Sequence, residues 1–238
     1  MSVTTRNLVR SDVTEAADPE PTTGPPAPRG WAVAGVAAGV AGAASIVLSG
    51  LVDAVYRDDL RGDAQGITDA LGEQTGILLG FHTATMVAAV ALLVFGVGLS
   101  RRLAARGSGS LAPGLAAAGL TGTAVVLVLG SGLDTELVFG LLEPGLVEPS
   151  VGVLFNHWIG TVPWCWALAG LAGTALWTAA RSGDVPRWLG RFGLVAGGLV
   201  LLLGVSPLQY MAGFVGPVLV LVTSLGFLVG DRAYRSAR

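Results

Sequence analysis

Long charge-free stretches alternate with short charged ones along this chain, and the lengths of the charge-free stretches predict helices that cross a membrane. A span needs about 20 apolar residues, each rising about 1.5 Å, to cover roughly 30 Å of hydrocarbon. Gly30 to Val52, Gln74 to Ser100, Gly107 to Leu133 and Pro149 to Ala180 carry no Asp, Glu, Lys or Arg, and each accommodates one span. The last such stretch, Phe192 to Gly230, is 39 residues long, a rod of about 58 Å if helical throughout. Pro207, Gly213, Gly216 and Pro217 sit at its centre, where helices stop and turn, so it reads as a hairpin of two spans. The expected fold is an all-α, six-helix transmembrane bundle over residues 30–231, with spans near 31–52, 77–99, 112–133, 156–180, 190–207 and 214–230. Pro163 falls inside the fourth. It either kinks a helix that starts near Phe155, the preferred reading, or opens a helix with Thr161 as its cap.

The charges between the spans predict the orientation. Arg6, Arg10, Arg29, Arg101, Arg102, Arg106, Arg181, Arg187, Arg191, Arg232, Arg235 and Arg238 fall on one side, and only Arg57 and Arg61 on the other. The opposite loops carry Asp53, Asp58, Asp59, Asp63, Asp69, Glu73, Asp134, Glu136, Glu143 and Glu148. Arginine is retained on the cytoplasmic side, so both termini are expected inside, in a bacterial cytoplasmic membrane. Aromatic residues, which favour the interfaces, agree: Trp31, Trp177, Trp188 and Tyr234 mark inner boundaries, and Tyr56, Trp158, Trp164 and Tyr210 mark outer ones. Residues 1–29, rich in Pro, Ser, Thr and acids, read as a disordered cytoplasmic tail, and 232–238 as a short C-terminal one. The first apolar stretch begins only at Trp31, which predicts an uncleaved span rather than a signal peptide.

Composition narrows the class. Hydrophobic residues make up 52% of the chain and charged residues 13%, and the mean hydropathy is +0.68, against about a quarter charged in soluble domains. All 14 basic residues are Arg, in keeping with a GC-rich bacterial genome. A net charge of -2 without a dense basic cluster argues against a nucleic-acid partner. Cys165 is the only cysteine, so disulfides play no part.

Small residues offer the spans close-packing faces: Gly35, Gly39, Gly42 and Ala43 in the first, Ala116, Ala118 and Gly122 in the third, and Gly170, Gly173 and Thr174 in the fourth. A repeat is suggested by Ser49-Gly50-Leu51-Val52-Asp53 and Ser131-Gly132-Leu133-Asp134, each followed by an acidic loop and then a His, His82 or His157. These would make two copies of one helical hairpin, with chance recurrence in a Leu-, Gly- and Ala-rich chain as the alternative.

No charge lies deep within a span, which argues against an ion pump built from this chain alone. The polar groups nearest the membrane share the outer level: Asp53, His82, Asp134, Glu136, His157, Gln209 and Tyr210. In a compact bundle they would converge on an outward-facing pocket walled by Phe81, Phe155, Trp158 and Trp164. Three readings compete. The His residues can be interhelical hydrogen-bond partners in a non-catalytic protein that binds or supports a partner or small ligand. They can join the acids in an enzyme or metal site, although neither HExxH nor HxxxH occurs. Or His82 and His157 can ligate a b-type haem. The first implies no cofactor, and it makes lipid, a protein or a small apolar molecule the partner.

The Pro-rich tail, the Gly/Ala-rich spans, the His opening span two and the stretch His157-Trp158-Ile159-Gly160-Thr161-Val162-Pro163-Trp164 resemble small, uncharacterised six-span membrane proteins of high-GC bacteria. The resemblance runs from about Trp31 to Gly230. It implies the topology and supplies no catalytic residues.

Overall fold

In the computed structural model, residues 29–105 and 110–230 are described. Both tails, with Arg6, Arg10, Arg232, Arg235, Arg238 and Tyr234, lie outside the described residues, as does Arg106. Everything else forms helices and short turns: α1 (Gly30–Leu51), α2 (Ala64–Glu73), α3 (Thr75–Ala104), α4 (Ala112–Ser131), α5 (Asp134–Leu141), α6 (Pro149–Ile159), α7 (Gly170–Arg181), α8 (Arg187–Val205) and α9 (Ala212–Gly230). Six segments are long and apolar enough to cross a membrane: Gly30–Leu51, Thr75–Ala104, Ala112–Leu141, Pro149–Arg181, Arg187–Val205 and Gln209–Gly230. The chain is thus an all-α protein with six candidate spans. The long final stretch is a hairpin, its turn at Ser206 to Met211; Pro217 lies within α9 rather than at the bend.

Helix ends follow local chemistry. Arg101 and Arg102 occupy the last turn of α3, where cations offset the exposed carbonyls and the negative end of the helix dipole. At the end of α7 the Asp184 amide donates to Ala179 O at 2.9 Å and the Gly183 amide to Ala180 O at 3.2 Å. Gly183 takes φ of 81°, the left-handed conformation such a stop requires.

Contacts between small residues set the packing. Gly98 lies against Trp31, Gly35 against Phe95, and Ser45 Oγ is 2.6 Å from Thr85 Oγ1, so α1 and α3 are antiparallel. Gly35 also meets Ser224, and Gly39 meets Leu221, which sets α9 antiparallel on the other flank of α1. The α7–α8 pair approaches backbone to backbone, with Gly170 and Gly173 against Gly193 and Gly197. These are the faces the sequence marks in spans one and four.

The buried residues form two clusters. The larger runs through the bundle, with Leu92, Phe95, Leu120, Trp166, Leu176 and Phe227 among its members. Large apolar side chains also point outward at Val33, Val40 and Val47 of α1, Val90 and Val97 of α3, and Val195 and Leu202 of α8. Such a belt would be an aggregation surface in water and suits contact with lipid.

Two segments differ from the sequence expectation. The stretch between spans one and two contains two single-turn 3-10 helices, at Ala54–Tyr56 and Asp58–Leu60, followed by α2. The fourth span is broken rather than kinked: α6 stops at Ile159, Val162–Trp164 and Ala167–Ala169 form 3-10 turns, and α7 starts at Gly170. Pro163 has no amide to give and stands at the start of the first turn, while the Thr161 hydroxyl donates to His157 O instead of capping.

Candidate functional site at the acidic end

The second hydrophobic cluster builds a cap on the end of the bundle that carries the acidic loops. Asp63 caps α2, accepting from the Gly66 amide at 2.9 Å. Ile67, Ala70 and Leu71 follow at helical spacing on one face, and that face is buried with Leu78 and Phe81 of α3, Val138 of α5, and Phe155 and Ile159 of α6. Phe81 and Phe155 are therefore core residues of the cap. Glu148 starts α6 by accepting from the Ser150 amide at 2.9 Å and from its hydroxyl. These bonds hold the Glu148 carboxyl below its ordinary range, because they favour the charged form. Arg57 does the same for Asp59 across a 2.7 Å contact.

Asn156 ties the cap to the end of α1. Its Nδ2 donates to Val52 O and its Oδ1 accepts from the Val55 amide, both at 2.9 Å, and the side chain is fully buried. These two backbone groups lie just past α1, where no helical partner is available. The break in span four is satisfied likewise. Ser49 Oγ donates to Ile159 O at 2.8 Å and accepts from Trp164 Nε1 at 3.1 Å. Trp158 Nε1 donates to Gly130 O at 2.7 Å, and Trp166 Nε1 to Pro163 O at 2.9 Å. Irregular backbone at this depth persists only when its polar groups find partners within the protein. Trp158 and Trp164, expected as apolar walls, serve here as hydrogen-bond donors.

Of the sequence-selected polar residues, the structure brings together His82 and Asp134. Nδ1 of His82 lies 3.4 Å from Asp134 Oδ2; the His82 side chain is 26% exposed and that of Asp134 1%. The contact is long for a hydrogen bond. Asp134 Oδ1 and Ser131 Oγ are buried without a well-formed hydrogen bond. Asp53 is exposed and accepts from Gln74 Nε2 at 3.0 Å. Glu136, Gln209 and Tyr210 are exposed, and exposed His157 stands edge-on to Tyr56 at 5.9 Å between centroids. Joint haem ligation would need both imidazoles to face one space; here one meets Asp134 and the other Tyr56. The His82–Asp134 contact also joins the first suggested hairpin copy to the second. No group of three or more His, Cys, Asp or Glu poised to hold a metal ion occurs among the described residues.

Sequence reasoning missed the hydrogen-bonding role of Asn156, Ser49 and the three indole donors. Their one shared signal is position, since all lie where a span ends or breaks. Fold and site together define a multi-pass membrane protein with a helical cap. In comparison with known proteins the chain matches no family model, no curated protein and no solved structure.

Proposed function

We propose that this protein is a non-catalytic membrane protein whose cap, facing outward from a bacterial cytoplasmic membrane, binds a partner or small ligand. Charge supports the orientation. Arg29, Arg101, Arg102, Arg181, Arg187 and Arg191 stand at one end, while Arg57 and Arg61 at the other are paired with Asp59 and Asp58. The observation that carries binding is that the cap has its own hydrophobic core and so holds a defined surface away from the lipid. A groove of about 290 Å³ crosses it between α2 and the turn after α5, edged by Gln65, Asp69, Glu73 and Glu143. Its size is at the low end for a ligand pocket, and three carboxylates favour a cationic group such as a Lys or Arg side chain.

A photo-crosslinking amino acid at Val147, within the groove, tests this in native membranes. A discrete adduct is expected there and not at lipid-facing Val90, and Asp69→Asn with Glu73→Gln and Glu143→Gln should remove it. Equal labelling at both positions would sink the proposal. The buried, incompletely bonded Asp134 favours a second reading, an enzyme or proton-moving site at His82–Asp134. The two separate on Asp134→Asn: binding keeps the adduct, whereas proton-linked turnover, if the purified protein has one, disappears.

A further inference from the structure

A second cavity lies at the opposite, Arg-rich end, where α7 turns into α8. It has about 780 Å³ and is lined by Trp177, Arg181, Asp184, Arg187, Trp188 and Arg191. Three guanidinium groups share one opening with a single carboxylate. Among the described residues no carboxylate pairs with any of the three arginines. Arginines that only mark a cytoplasmic boundary have no need of a common cavity. From this convergence we propose that the cavity binds the phosphate headgroup of an anionic phospholipid.

The fork of Arg matches phosphate oxygens in pairs, and two indoles beside it suit the headgroup level. The turn holding these groups is fixed. Gly183 closes α7 in the left-handed conformation, Pro186 leads into α8, and Arg102 of α3 donates to Asp184 O at 3.2 Å. Acyl chains also have a path. Val195, Leu199 and Leu202 are exposed along α8 below Arg191, at spacings that keep them on one side of the helix. A soluble phosphate would use the arginines alone, whereas a lipid uses both features.

The test titrates the full-length protein in neutral detergent with phosphatidylglycerol, phosphatidylcholine of the same acyl chains, and inorganic phosphate, read by native mass spectrometry. Phosphatidylglycerol is expected to bind at least tenfold more tightly than phosphatidylcholine, with inorganic phosphate a poor competitor. Removing three charges near a lipid phosphate costs on the order of a hundredfold, so Arg181→Gln with Arg187→Gln and Arg191→Gln should abolish the preference. Arg57→Gln with Arg61→Gln, at the other end, should retain it. If the triple variant does not fold, Arg187→Gln and Arg191→Gln singly should each weaken binding about fivefold, and Asp184→Asn should strengthen it. Equal retention of the two lipids, a preference untouched by these substitutions, or inorganic phosphate binding as well as the lipid would overturn the assignment.

Discussion

Asn156 shows how much one side chain decides at a helix end. It satisfies a carbonyl and an amide of the segment leaving α1 while fully buried itself. Asn156→Ala would orphan both groups, at about 1–3 kcal/mol each. The expected result is a fall in the detergent-solubilised protein's thermal midpoint, with the 53–73 segment becoming protease-sensitive before the bundle does. Asn156→Asp should be intermediate at best, because a carboxylate still accepts from Val55 but no longer donates to Val52. A midpoint unchanged in Asn156→Ala would mean the clamp contributes nothing. Its neighbour His157 drew attention in the sequence because imidazole is rarer and more reactive, yet His157 is exposed and Asn156 buried. Chemical versatility was a poor guide to which of the two holds the structure.

Among the helices, the α7–α8 pair depends on its glycines. A Cβ at Gly173 would stand 2.4 Å from Gly193 O and 2.6 Å from Gly197 Cα, backbone atoms that cannot rotate away. Gly173→Val should force the helices apart at a cost of about 1–3 kcal/mol or more, seen as a lowered thermal midpoint of the detergent-solubilised protein. Gly198, which has open space around it, should accept Ala without loss. The small-residue stripe was legible in the sequence, but its partner was not, since any span in this Gly- and Ala-rich chain offers a similar face. The broken fourth span was only half legible. Pro163 announced an interruption, and whether it becomes a kink or a break depended on Ser49, Trp164 and Trp166 arriving to bond the freed backbone.

For the molecule as a body, the governing feature is its two unlike ends: an acidic cap with its own core at one, arginines and a cavity at the other. If the arginine end faces the cytoplasm, a reporter active only outside the cell should be silent when inserted between Ala105 and Ser110, and active when inserted at Gly145. The reverse pattern would invert the orientation, and activity at both sites would break the six-span count. Arg57 and Arg61 should matter little to this outcome, because each already stands beside an aspartate.

Six spans, an all-helical fold and the separation of charge follow from the sequence because transfer of a segment from water to lipid is a local, additive property. A run of about twenty apolar residues favours lipid over water wherever it lies in the chain. The 3-10 turns, the amphipathic α2 and the cap core required the fold. So did the choice of Asp134 rather than Asp53 as the partner of His82, and the gathering of Arg181, Arg187 and Arg191 around one cavity. Those outcomes depend on angstrom distances between segments remote in the chain, which rotation or sliding of one helix past another would change without altering any residue's hydrophobicity.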